Sequence, residues 1–165
     1  MSYRAATTDP TVCDMTNHAF WNLAGGGTID SHRLHVLADR VIECDDDLVP
    51  SGRLADVCGS DIDFSMPRPI GATRIDHCFA LAGRIHAAVL TDPTSGRELR
   101  IRTNQPGLAV YTTDHFTRPR AGICLQTGVW PDAPNQPVFP SARLDPDQVY
   151  RHRGVYDFTI NDTLG

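Results

Sequence analysis

Gly122-Ile-Cys-Leu-Gln-Thr-Gly-Val-Trp-Pro-Asp-Ala-Pro-Asn-Gln-Pro-Val-Phe-Pro-Ser141 runs from an apolar strand into a stiffened loop. Ile123-Cys-Leu125 has the length and composition of a buried strand. Pro131, Pro134, Pro137 and Pro140 lack a backbone donor and fix φ, so neither a helix nor a central strand continues through them. The reading is one strand that delivers a rigid loop.

Working outward, the same texture recurs. Leu108-Ala-Val-Tyr111 precedes that strand, and Leu99-Arg-Ile101-Arg alternates with period two, as a half-buried strand should. Cys78-Phe-Ala-Leu81, Ile85 to Leu90, Leu34-His-Val36 and Val41-Ile42 are further short apolar pieces. Thr91-Asp-Pro-Thr-Ser-Gly96 is a hairpin connection rich in turn formers. Near the C-terminus Tyr156, Phe158 and Ile160 share one face, with Asp157 and Thr159 on the other. No window shows a helical three-four repeat, and 13 glycines and 12 prolines interrupt the chain too often for long helices. The prediction is all-β, a sandwich or barrel forming a single domain over 1–165. Val12 to Ala24 reads as an interior strand and site loop with little before it. Unpaired strand edges and open apolar surface are therefore expected.

Composition narrows the partners. A length of 165 residues is enough for a sizeable core. A net charge of −5, without a basic run, argues against nucleic acid and anionic membrane surfaces. Five irregularly spaced cysteines without a CxxC read as reduced thiols in a cytoplasmic protein. The N-terminal residues show no apolar signal segment, and no apolar run approaches bilayer length. His32 and His35 point to opposite faces of a strand, so no metal site is expected, and Gly25-Gly-Gly27 lacks phosphate-loop spacing. No cofactor is expected.

Thr16-Asn17-His18-Ala-Phe-Trp-Asn22-Leu is the first cluster with chemical potential. Aromatic rings cover the apolar face of a pyranose, while imidazole and amides address its hydroxyls. Read locally, a hydrogen-bonded histidine at the end of a strand is the commoner fate. Asp132 reads as ordering the proline loop, while Asp114, His115, Arg118 and Arg120 read as solvated loop.

A series of motifs in order changes that balance. Thr16-Asn-His18-x-Phe-x-Asn-Leu is followed by Ile29-Asp-x-His32-x-Leu34, Asp47-Leu-Val-Pro50-Ser-Gly52 and Asp61-Ile-Asp63-Phe64. Pro69-Ile-Gly71, Ile75-Asp76-His77-Cys-Phe79, Gln105-Pro-Gly107 and Trp130-Pro-Asp-Ala-Pro-Asn-Gln-Pro complete it. Nearly the whole chain thus resembles the galactose mutarotase (aldose 1-epimerase) family. The resemblance implies part of a large antiparallel β-sandwich and interconversion of the α and β anomers of an aldohexose such as galactose or glucose. A base takes the anomeric proton while an acid protonates the ring oxygen, and the ring opens and recloses. By position His18 matches the acid and Asp76 matches the aspartate that binds sugar hydroxyls. Asn17 and Trp130 fall in the matching site segments as substrate-binding candidates, and His77 is expected to be structural.

The departures are as specific as the matches. Gln126 stands where the family has its glutamate base, and a carboxamide has no basicity in water. Ala109 stands where sugar-binding members commonly carry a glutamine. The family's long N-terminal part, with further pocket residues and strands, has no counterpart in residues 1–11. The expectation is a C-terminal portion with impaired activity. The alternatives are a non-catalytic carbohydrate-binding or regulatory homologue, an inactive fragment, or a chain whose missing strands a partner supplies.

Overall fold

The computed structural model describes residues 1–83 and 85–160. Its strands are β1 (Ser2–Ala5), β2 (Thr11–Val12), β3 (Phe20–Trp21), β4 (Arg33–Val36), β5 (Arg40–Cys44), β6 (Pro50–Asp56) and β7 (Arg68–Pro69). They continue with β8 (Asp76–Ala80), β9 (His86–Thr91), β10 (Arg97–Thr103), β11 (Gly107–Tyr111), β12 (Ile123–Gly128), β13 (Arg143–Leu144) and β14 (Tyr150–Ile160). One 3₁₀ turn, Ala133–Asn135, lies in the proline loop. Two six-stranded sheets form, ordered β1-β14-β10-β9-β4-β7 and β3-β12-β11-β8-β5-β6, with β13 and β2 pairing separately. All the pairings are antiparallel, the all-β sandwich expected of the pattern.

Register turns alternation into a core. In the first sheet Leu34, Leu90, Leu99 and Phe158 lie in one row across four strands, with Val36, Ala88, Ile101 and Tyr156 in the next. In the second, Val41, Phe79 and Leu108 make one inward row, and Val110 faces Leu125. All except Phe158 and Tyr156 are buried members of one apolar cluster, and Tyr156 packs against it. Because side chains alternate, the neighbours of these inward residues on β8, β11 and β12 must face outward. That outer face carries the rows Cys78, Ala109, Gln126 and Asp76, Tyr111, Cys124.

Two expectations are corrected at the start of the chain. Val12 to Ala24 is not an interior strand. It supplies only the short edge pieces β2 and β3, joined by loop, because Asn17, Asn22 and Asp14 spend their side chains on loop backbone instead of a ladder. Residues 2–5, which the sequence pattern does not mark as a strand, pair with the first half of β14. The second half of β14 pairs with β10 on its other side. Among the described residues, Val155 to Ile160 therefore has an unpaired edge. Phe158 and Ile160 there are 56% and 66% exposed.

Candidate functional site

The outer face of the second sheet is covered at one end and open at the other. At the covered end the proline loop folds back over Ile42 and Cys78, burying Ala133, Phe139 and Ala142 against them. Asp132 accepts from the side chains of Asn135 and Gln136, and Gln136 also donates to the Pro50 carbonyl at 3.1 Å. Asp132 thus orders the loop, as its sequence context predicts. Trp130 donates its indole N–H to the Pro106 carbonyl at 2.9 Å and meets Phe139 edge-on, 5.0 Å between centroids. A Cβ on Gly107 would lie 2.9 Å from the Trp130 ring, so this glycine lets the indole seat on the sheet.

At the open end lies a cleft of about 170 Å³ lined by His18, Asp76, Ala109, Val110, Tyr111, Cys124 and Gln126. A wider basin of about 580 Å³, reaching from Cys44 and Leu48 to the edge of the roof at Ile42, Cys78 and Pro131, shares Asp76 and Ala109 with it. The two hollows therefore meet over the small side chain of Ala109. Among the described residues, neither lining includes a lysine or arginine.

The site is built by the sheet itself. Cys124 and Gln126 are two apart on β12, about 7 Å along the strand at the usual rise. Cys124 pairs with Tyr111, which pairs with Asp76, placing Asp76 about 10 Å from Cys124, two strand spacings away. His18 joins this row from outside: its Nδ1 is 3.4 Å from Cys124 Sγ, and its ring lies 5.1 Å from that of Phe20. His18 and Gln126 thus occupy one side of the cleft and Asp76 the other. Phe20, Tyr111 and Phe116 form a triangle of edge-to-face contacts beside them.

Loops converge to hold these groups. Asp14 accepts the Val129 N–H, and a Cβ on Gly128 would strike its carboxylate. Buried His152 bridges the Met15 carbonyl (2.7 Å) and the Thr127 hydroxyl (2.9 Å), tying β14 and β12 to the loop before His18. Asn17 Oδ1 accepts the Ala19 N–H at 2.6 Å and so shapes that loop. On the other side Arg120 reaches Asp30, Asp114 and the carbonyls of Thr73 and Gly71, fixing the segment that carries Phe116.

The five predicted site residues are therefore placed clearly. His18, Gln126 and Asp76 meet around one cleft. Trp130 lies under the proline loop and lines neither hollow. Asn17 supports His18 from within its loop and lines neither hollow. His77 is half-buried and accepts the Asp76 N–H at its Nδ1, and burial holds its pKa below the ordinary value. Arg120 and Asp114 are corrected: both side chains are largely buried, 14% and 13% exposed, because loops distant in sequence close over them. Cys124, Tyr111, Phe116 and His152 drew no attention as site residues. Only the alternation of β11 and β12 signalled the first two.

The family model described as aldose 1-epimerase matches residues 1–157. The chain belongs to the aldose 1-epimerase family. It is 33% identical to galactose mutarotase from Bos taurus over 97% of its own length and 54% of that protein. It is 28% identical to aldose 1-epimerase from Escherichia coli over 96% of its length and 54% of that protein. The chain thus spans about half the length of the curated relatives it matches. Among solved structures, the GalM/aldose epimerase homologue from C. elegans superposes with a TM-score of 0.90 at 24% identity, covering 96% of this chain and 55% of that one. Galactose 1-epimerase from Lactobacillus acidophilus gives 0.80 at 22% identity, over 96% and 52%. The sandwich is therefore the galactose-mutarotase-like fold.

An imidazole, a carboxamide and a carboxylate beside aromatic rings offer both donors and acceptors to a polyhydroxy ligand. Of the three, only the carboxamide has no acid–base chemistry in water. Burial pushes the Cys124 thiol up to about 12, so it is a neutral S–H. Among the described residues no cluster of three or more His, Cys, Asp or Glu could hold a metal ion.

Proposed function

We propose that the cleft takes the pyranose form of a free aldohexose such as galactose or glucose. His18 addresses the ring oxygen as acid, Gln126 faces the anomeric hydroxyl, and Asp76 holds hydroxyls across the ring. The observation that carries this reading is the shared cleft. His18 and Gln126 sit on one side, where both can address the two oxygens of one carbon, and Asp76 lies a ring's width away. The reaction is acid–base opening of the C1–O5 bond, rotation and reclosure to the other anomer.

Gln126 decides how fast. A positioned base contributes roughly 10²–10⁴-fold, and a carboxamide only accepts a hydrogen bond. Turnover is therefore strongly reduced, while binding survives better than catalysis. A second reading, a carbohydrate-binding or regulatory protein without turnover, is favoured by Gln126 together with Ala109. In either reading the chain works as a single domain in the cytoplasm, with its described cysteines as free thiols. No described helix is long and apolar enough to cross a membrane. A partner chain that supplied further strands would add along Val155 to Ile160, the open edge of β14.

The test is the approach of freshly dissolved α-D-galactose to anomeric equilibrium, followed by proton NMR with the wild-type chain and Gln126→Glu. The expected result is little acceleration by wild type and a rise of about 10²–10⁴-fold in the variant. Sugar bound without acceleration in either form leaves the binding reading. No sugar contact in either form removes both.

A further inference from the structure

The cleft contains a titratable group that the reaction does not use: the Cys124 thiol. It is 1% exposed, in the row that positions the site, and its Sγ lies 3.4 Å from His18 Nδ1. On β3 its register partner is Phe20, whose ring borders the same imidazole at 5.1 Å. The described residues place no other hydrogen-bond partner on the His18 ring. His18 itself is exposed and rides on a loop, so these two neighbours from the sheet are what orient it.

We propose that Cys124 is the positioning residue of His18: its S–H donates to Nδ1, selecting the imidazole tautomer that carries its proton on Nε2 and leaving that N–H for the ligand. The inference rests on the sugar-site reading for its consequence but not for its geometry. A neutral thiol is a donor, although a weak one. Given a lone pair on Nδ1 it closes that nitrogen off, and the remaining ring proton must sit on Nε2. The neighbour that sets one nitrogen thereby sets what the other presents, the logic by which second-layer groups orient metal-bound histidines. In this cleft the consequence is specific. With a carboxamide at position 126, a fixed Nε2–H is the strongest remaining neutral donor on its side of the cleft, and it stays aimed at a ring oxygen whether or not turnover follows. Dispersed contact with Phe20 restrains the ring plane, and Cys124 restrains its rotation within that plane. Neither alone does both.

The experiment is a long-range proton–nitrogen correlation spectrum of the imidazoles in ¹⁵N-labelled protein above the histidine titration range. The His18 pair is assigned by its loss in His18→Asn. Wild type is expected to show one nitrogen pattern, protonated at Nε2 and bare at Nδ1. Cys124→Val, similar in volume but without a donor, is expected to shift that pattern toward a tautomer mixture and to weaken galactose binding about threefold to tenfold. Cys124→Ser, which keeps a donor, restores the single pattern. An Nδ1-protonated or averaged His18 in wild type overturns the proposal, even if Cys124→Val does not fold. An unchanged pattern in folded Cys124→Val overturns it equally. Absence of galactose binding by wild type defeats the sugar-site reading but leaves the tautomer result to decide this one.

Discussion

One face of one sheet is used in two ways. Over Ile42 and Cys78 the outer side of the second sheet is roofed by the proline loop, whose Trp130, Ala133 and Phe139 close against it. A few residues along, over Asp76, Tyr111, Cys124 and Gln126, the same face is open. The strands are the same strands, and the alternation that makes both ends is identical. What differs is the loop chemistry laid on top. The roof consists of apolar rings with their one polar atom satisfied by the Pro106 carbonyl, while the open end is edged by rings that leave polar neighbours uncovered. Aromatic residues thus take opposite jobs according to which loop carries them.

Removing the roof should cost stability and spare the open end. Trp130→Ala deletes the indole that fills the notch above Gly107 and meets Phe139 edge-on, and should lower unfolding free energy by about 3 kcal/mol. Tyr111→Ala at the half-buried open end should cost less than half of that and weaken galactose binding instead. Urea denaturation read beside sugar titration checks the pair. Equal stability losses, or a Trp130 variant that folds well but has lost the sugar, would dissolve the distinction between the two ends.

The second effect concerns the segment that walls the open end. Arg120 and Asp114 face each other at 3.1 Å with both side chains largely buried. Despite the burial, hydrogen bonds from Thr112 and Arg120 hold the Asp114 carboxyl below its usual range. Arg120→Met leaves that carboxylate with Thr112 alone and the Thr73 and Gly71 carbonyls without the guanidinium donor. The expected loss is about 3 kcal/mol, since breaking one member of a buried pair strands the other. Asp114→Asn should cost less, because the amide still satisfies Thr112. A chemical-denaturation midpoint unchanged in Arg120→Met would show the segment to be solvated after all.

This pair also shows where sequence reading stops. The strands were legible because burial imposes period two on segments such as Leu99 to Arg102 and Leu108 to Tyr111. The candidate site was legible as an ordered set of motifs, with His18, Asp76 and Gln126 in it. Their grouping was not, because it depends on register: nothing in one dimension says that Asp76 and Cys124 flank Tyr111. Arg120 looked solvated because its partner Asp30 is 90 residues away, and the burial it enjoys belongs to loops that meet only in the fold. Trp130 looked like a ligand-binding ring because a roof and a binding platform use the same amino acid, and only packing separates them. The strand at Ser2–Ala5 escaped notice because its alternation, half-buried against exposed, is too short to register.

A third way to sharpen the comparison uses pH. His32, fully buried behind the open end, accepts the Leu23 N–H at Nε2, so its proton resides on Nδ1, which has no partner. Burial holds its pKa below the ordinary 6.5, opposed in part by Asp92. His77, beside the cleft, is lowered for the same reason, opposed by Asp76. In the window just below 6.5 the unfolded chain binds protons that the folded chain refuses, so stability rises with pH there. It is complete above the unfolded value and declines as pH falls through the window toward the folded value. Unfolding free energy should therefore drop by about 1 kcal/mol between about pH 7.5 and pH 5.5, and His32→Gln should flatten the slope. A flat profile in wild type would mean that neither imidazole is excluded from protonation by the fold.

The smallest effect tests the charge of the open end. The cleft and the basin it joins are lined by Asp76, Asp45, Asp56 and Glu43 and, among the described residues, by no arginine or lysine. A dianionic phosphate on the sugar meets carboxylates and no counterion there, in a protein whose net charge is already −5. Interactions of this kind between partly exposed charges amount to about 1 kcal/mol and fade with salt. Galactose 6-phosphate should accordingly bind several-fold more weakly than galactose at low ionic strength, with the gap narrowing as salt is added. The roofed end offers no such discrimination, since its polar groups are consumed by the loop. Should the phosphate bind as well as the neutral sugar, the ligand's sixth carbon must point away from the basin.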